Sequence, residues 1–200
     1  SDMVLVGEEK KIEFSPNAAL IVNAHATPGQ QGGKVVLNAT TLSVFDDCNA
    51  NAMWQGVLLN GYDNQNQGTT SNSQHGVLTT VGGASQIDHA LTAIKLDHGA
   101  IVQFTGTSKL LDNKVALEAT PYTSPSNPLN DVSLFSNCII KTQSTSNSYP
   151  DLSSGEYLIR LTGRNPTMRF TTCTIKNEKT SQNNLYDGII SNDSRVNLSV

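Results

Sequence analysis

The chain has 200 residues, 15% of them charged and 37% hydrophobic, with a net charge of −4 and a pI near 5.5. That length suits one domain, spanning residues 1–200, able to bury roughly 70% of the surface its unfolded chain exposes. No basic cluster is present, so nucleic-acid binding lacks its electrostatic footprint, and no apolar run reaches the ~18 residues that membrane insertion needs. Asn, Ser and Thr occur 20 times each. Their side chains compete for helix backbone hydrogen bonds and favour turns and strands, which argues against long helices and coiled coils. Ser1 to Lys11 is short and acidic, unlike a secretory signal peptide. Cys48, Cys138 and Cys173 are an odd, sparse set that fits neither a disulfide framework nor a zinc site.

In chain order, residues 10–23 read as two strands joined at Ser15-Pro16-Asn17, the incomplete first turn of a repeat. From residue 34 the pattern becomes three short strands per unit. The first strand recurs as KVVLNA, GVLTTV, AIVQFT, VSLF, TMRF and RVNLSV. The second is TLSVF, SQIDHA, SKLLDN, NCIIK or TCTIK, and the third is WQGVLLNG, TAIKLDHG, VALEATPY, YLIRLTG or DGIISND. Alternation such as Ile94-Lys95-Leu96 gives one inward and one outward face. Gly, Asn, Asp and Ser punctuate the strand ends. Residues 76–89 align without a gap on residues 100–113 at an offset of 24, setting Ile87 on Leu111 and Asp88 on Asp112. Residues 133–141 align on residues 168–176 at an offset of 35, setting Phe135 on Phe170 and Cys138 on Cys173. Long polar inserts fall at strand junctions, over residues 62–74, 121–130, 142–154 and 177–184.

This repeat predicts an all-β chain folded as a right-handed parallel β-helix, a solenoid of about five three-strand coils. Stacked coils would bury a continuous core with strands ~4.8 Å apart along the axis. A β-sandwich is the rival, but it would not produce the repeat offset and would call for Asn-Gly hairpins, of which Asn60-Gly61 is the sole example. Residues 195–200 read as the first strand of a coil that does not complete, which predicts a fragment of a longer protein or a surface that pairs with another chain.

The run AALIVNAHATPGQQGGKVVLNATTLSVFDDCNANAMWQGVLLNG resembles secreted parallel β-helix (pectate-lyase-like repeat) surface proteins of the Bacteroidetes. The resemblance rests on Thr41-Leu42 followed by Trp54-Gln55-Gly56-Val57, on Ile87, Ala90, Ala93 and Ile94, and on the paired segments 135–140 and 170–175. It implies a secreted or cell-surface protein, exported by type IX secretion, that is part of a larger surface protein. Its members are mostly adhesin-like, and some β-helix relatives are polysaccharide lyases or hydrolases.

Glycoside hydrolysis needs two carboxylates about 5–9.5 Å apart. Asp88 and Asp112 are the best pair if the 24-residue offset stacks them, with Lys95 or His98 as partners in a groove. The alternative is that both close turns through their own backbone. Asp46-Asp47 and Asp97-His98-Gly99 are similar to fragments of the polygalacturonase-like pattern, but its Asn-Thr-Asp and Arg-Ile-Lys segments are missing. A lyase would add calcium, held by carboxylates, and an Arg or Lys base. Arg160, Arg164 and Arg169 are close in sequence, and an outward, solvated face is their expected place. His25, His75, His89 and His98 have no metal-ligand spacing, so no metal site or cofactor is expected beyond that calcium. Trp54 reads as a core or end-cap aromatic. Polysaccharide or cell-surface glycan is the expected partner, with Tyr62, Tyr122 and Tyr149 as ligand-binding candidates in polar inserts. The expectation is a non-catalytic stalk or adhesin-like module. The enzyme alternative is a polysaccharide lyase or glycoside hydrolase of the β-helix type.

Overall fold

Strands that alternate apolar and polar residues can bury only one face, so each short strand here must stack on an equivalent strand to complete a core. The computed structural model describes residues 2–27, 29–45, 52–63, 65–126, 130–142, 157–165, 167–177 and 187–199, with side chains left aside at 2–9, 130, 177 and 187. Among these residues the chain is all-β. The first coil consists of β1 (Asp2–Phe14) and β2 (Ala19–Val22), and the second of β3 (Lys34–Val44) and β4 (Gly56–Leu59). The third contains β5 (Val77–Val81), β6 (Gln86–Asp88) and β7 (Thr92–Leu96). Next come β8 (Ile101–Thr105), β9 (Lys109–Leu111) and β10 (Val115–Ala119), with a short β11 (Tyr122–Thr123) beyond them. The fifth has β12 (Asn130–Ser136), β13 (Ile139–Thr142) and β14 (Tyr157–Thr162), followed by β15 (Arg164–Asn165). The sixth has β16 (Thr167–Thr171), β17 (Thr174–Asn177) and β18 (Asp187–Asn192), and β19 (Val196–Ser199) lies on top of β16.

Every pairing between these strands is parallel. The third strands form a 6-stranded sheet in the order β18-β14-β10-β7-β4-β2, so among the described residues six coils contribute a third strand, the first of them from the segment 10–23. The first and second strands share an 11-stranded sheet because β1 and β3 run unbroken round the corner between their two halves. The first coil, expected to be incomplete, is supplied by the full length of β1, whose early part pairs with Lys34 to Asn38. This stacked, parallel arrangement is consistent with a β-solenoid, and among the described residues no two of these strands pair as the antiparallel hairpins of a sandwich.

The core is built of side-chain ladders. On the second strands Ile12, Leu42, Ile87, Leu110, Ile140 and Ile175 stand in register. On the third strands Leu20, Val57, Ile94, Leu117, Ile159 and Ile189 do the same. On the first strands Phe104, Phe135, Phe170 and Leu198 follow one another, and the Phe135 and Phe170 rings stack at 5.0 Å. Each fully buried Leu or Ile contributes about 1.5–3 kcal/mol. Trp54 is fully buried, stacks on Phe14 at 4.3 Å, and donates its indole N–H to the Asp88 carbonyl at 2.8 Å.

The expected gapless alignment fails by one residue. Val77 pairs with Ile101 at an offset of 24, but Ile87 pairs with Leu110 and Asp88 with Leu111 at an offset of 23. The turn at Gly82-Gly83-Ala84 is one residue longer than the turn at Gly106-Thr107. The Phe135–Phe170 and Ile140–Ile175 registers agree with the sequence alignment.

Candidate functional site at the third corner

The corner that follows each third strand is where the described inserts gather. Residues 23–27, 29–33, 60–63, 65–76 and 120–126 leave the coil there, so what the described residues present on that side is carried by loops on a rigid stack. A loop with few apolar residues cannot hold its own shape. Residues 60–63 and 65–76 are held by a buried polar brace instead.

At its centre is Arg164, fully buried in β15 beside Asp131, which is 1% exposed. Arg164 Nε donates to Asp131 Oδ2 at 2.8 Å. Its Nη1 donates to the His98 carbonyl and its Nη2 to the Ala100 carbonyl at 3.2 Å. The guanidinium also lies over the Tyr122 ring, 5.4 Å from the centroid. Asp131 Oδ1 in turn accepts from Gln67 Nε2 at 2.7 Å and from the Ser133 N–H at 2.8 Å. Gln67 Oε1 accepts the Val132 N–H at 2.9 Å, so Gln67 ties the loop into β12 at two points. A buried ion pair is stable only when its remaining donors and acceptors are satisfied, and this network does that.

Tyr122 and His75 hold the other side of the loop. Tyr122 donates its hydroxyl to the Gln65 carbonyl at 2.8 Å, and burial pushes its phenol up. The His75 ring sits between Tyr62 and Tyr122, 6.4 and 6.2 Å between ring centroids. His75 Nδ1 accepts the Tyr62 N–H at 3.1 Å, and Nε2 faces the Asn66 carbonyl at 3.1 Å. A neutral ring protonated at Nε2 satisfies both contacts, and burial pulls its pKa below 6.5. Gly99 makes room for it, since a Cβ there would meet His75 Cε1 at 2.5 Å. The glycine of Asp97-His98-Gly99 is therefore explained by packing.

On the outer side of this brace is a small pocket of about 100 Å³ lined by His25, Ala26, Tyr62, Asp63, Gln65 and Gln74. Tyr62 is half-buried, whereas Asp63 and His25 are exposed. Asp63 Oδ1 meets His98 Nδ1 at 2.9 Å, and Asp97 Oδ2 lies 3.7 Å from His98 Nε2. Asp97 is fixed in turn by Thr120, whose hydroxyl donates to Oδ1 at 3.2 Å.

The candidate carboxylates lie elsewhere. Asp88 ends β6 and Asp112 follows β9, at the corner between second and third strands, and both are buried. With Asp88 opposite Leu111, the expected Asp88-on-Asp112 stack does not form, because the longer Gly82-Gly83 turn shifts the register. Burial works to raise the Asp88 carboxyl, but hydrogen bonds from His89, Ser43 and Gln86 outweigh it and hold it low. His89 is raised, first by its hydrogen bond to Asp88. Asp112 and His89 both have left-handed φ, 54° and 52°, as corner residues. Lys95 points outward from β7 between Leu58 and Glu118, and His98 belongs to the third corner, so neither shares a groove with the two aspartates.

Of the tyrosine candidates, Tyr62 borders the pocket, but Tyr122 is 1% exposed and braces the loop from within, so it offers no stacking face. Tyr149 and Asp46-Asp47 lie outside the described residues. Arg164 was expected on a solvated face and is instead buried. It stands just beyond the alternating stretch of β14, where strand periodicity no longer assigns a side. Arg160 does face outward, donating to the Tyr157 hydroxyl at 3.1 Å, with acidic Glu118 as its register neighbour. Gln67 and Asp131 have no sequence signal, and His75 enters there only as a histidine without metal-ligand spacing. They carry no motif, and their roles come from long-range contacts. Among the described residues, no group of three His, Cys, Asp or Glu side chains could hold a metal ion. No family model, curated protein or solved structure matches this chain.

Proposed function

We propose that this chain is a right-handed parallel β-helix module of a larger secreted or cell-surface protein, a non-catalytic stalk or adhesin-like segment that contacts glycan through its third-corner loops. Right-handedness follows from the strong preference of crossovers between parallel strands. The resemblance to secreted Bacteroidetes β-helix proteins supports the location and the surface role. The observation that carries the glycan reading is the pocket at Tyr62. It combines one half-buried aromatic ring with the amides of Gln65 and Gln74, on a loop made rigid by a buried ion pair. A ring flanked by amides fits the apolar face and hydroxyls of a sugar. Tyr62→Ala should lower retention on whichever insoluble polysaccharide or glycan the protein binds by about tenfold, at unchanged thermal stability. Equal retention of wild type and Tyr62→Ala would refute this site.

A second reading, a polysaccharide lyase or glycoside hydrolase, rests on Asp63, which lines the same pocket, and on its contact with His98. It requires measurable cleavage that His98→Ala abolishes.

A further inference from the structure

The corner between first and second strands repeats from coil to coil, with a left-handed residue followed by a small side chain. Thr107, Asn137 and Thr172 have φ of 63°, 51° and 52°. The residues after them are Ser108, Cys138 and Cys173, and Ser85 holds the same place one coil below Ser108. In the lower coils the hydroxyl serves its neighbour. Ser85 Oγ accepts the Thr40 N–H and Ser108 Oγ accepts the Ser85 N–H, each at 3.3 Å. Sulfur is a weak acceptor and cannot do this well. The two cysteines meet each other instead, with Sγ atoms 3.0 Å apart.

Their backbones are already placed for a covalent bond. Thr174 N–H donates to the Cys138 carbonyl at 2.9 Å, and Ile139 pairs in register with Thr174. Parallel neighbours in register lie ~4.8 Å apart, within the Cα separation that a disulfide spans. Cys138 is buried, whereas Cys173 is partly exposed and lines a cavity of about 370 Å³ with Phe170, Thr172, Ile175 and Leu198. In this chain Cys173 is the more accessible of the two thiols and Cys138 lies behind it.

We propose that Cys138 and Cys173 are a thiol–disulfide site that small-molecule disulfides of the glutathione type oxidise to a covalent bond between the fifth and sixth coils. The Cys173 thiolate attacks one sulfur of oxidised glutathione, forms a mixed disulfide and releases one glutathione thiolate. Cys138 gives up its thiol proton to solvent and attacks Cys173 Sγ, expelling the second glutathione. Two protein thiols are oxidised and one glutathione disulfide is reduced to two thiols. The order of attack agrees with the acidities. The hydrogen bond from Cys138 lowers the Cys173 thiol to about 7, and that same bond together with burial raises Cys138.

The test is made on the full chain, reduced and then incubated with oxidised glutathione, with Cys48→Ser alongside. In both proteins, peptide mapping without reductant should find the Cys138 peptide joined to the Cys173 peptide. Alkylation should lose both thiols, and dithiothreitol should restore them. The crosslink closes a 35-residue span and should raise the melting temperature by roughly 5–10 °C. A glutathione adduct that persists on Cys173, a bond from Cys173 to Cys48 in the wild type, or two thiols that stay alkylatable would each overturn the proposal.

Discussion

Arg164 is fully buried, and its partners there determine what each substitution would do. Removing the guanidinium leaves Asp131 buried beside Gln67 with no compensating cation. Arg164→Met should therefore cost about 3–5 kcal/mol in denaturant unfolding, and Arg164→Lys should recover only part of that, since an ammonium cannot reach Asp131 and two carbonyls while lying over Tyr122. A midpoint shift worth less than 1 kcal/mol would mean that the pair does not hold the loop. His75 makes a different prediction. Burial lowers its folded pKa below 6.5, so the unfolded chain takes up the proton first as pH falls. Its contribution to stability is complete above pH 6.5 and is lost as pH falls below that value through the folded one. Protonation also turns the acceptor of the Tyr62 N–H into a donor. The protection factor of the Tyr62 amide, taken against the slower intrinsic exchange at low pH, should fall between pH 7 and pH 5, with the protection factors of the β7 and β10 amides unchanged. Equal protection of Tyr62 across that range would contradict the assignment. His89 acts in the opposite sense. Asp88 raises its pKa, so its contribution is present below 6.5 and fades as pH rises through the folded value.

At the scale of the strand, stability lies in ladders whose members each touch the coil below and the coil above. Leu110 stands between Ile87 and Ile140 and is 1% exposed. Leu110→Ala opens a void in a stack that cannot collapse sideways and should cost about 2–5 kcal/mol. A loss under 1 kcal/mol on chemical unfolding would show that the second strands do not stack as described. Gly56 shows the same tightness in the backbone, with φ of 96° and no space for a Cβ beside the Thr92 carbonyl. Strand existence and class were legible from alternation, and the Phe135–Phe170 register from the alignment of residues 133–141 on 168–176. The step at Gly82-Gly83 was not. Two glycines permit a turn of either length, and a one-residue change there leaves the apolar pattern of the next strand intact while moving its partner from Leu111 to Leu110. The pairing of Asp88 with Asp112 failed through that step alone. Cys138 and Cys173 were aligned correctly, but an odd cysteine count hid the fact that the alignment brings their sulfurs together.

For the molecule as a whole, the repeat shows in the sequence because every coil solves the same burial problem with the same residue types. The candidate site does not show there, because it is made where the coils differ. The brace of Arg164, Asp131, Gln67, Tyr122 and His75 joins positions scattered from residue 67 to residue 164, each unremarkable among its neighbours in the chain. Tyr62 was legible as an aromatic in a polar insert. Tyr122, with the same credentials, turned out to be buried support for it. The proposed reading is binding without turnover at a braced loop, and one experiment separates it from catalysis. The purified chain is incubated with plant, algal and microbial polysaccharides, with and without calcium, and both retention on the insoluble fraction and release of new reducing or unsaturated ends are recorded. The account predicts retention that depends on Tyr62 with no new ends released. Release of ends that is lost in His98→Ala or Asp63→Asn would contradict it and make the third corner an active site.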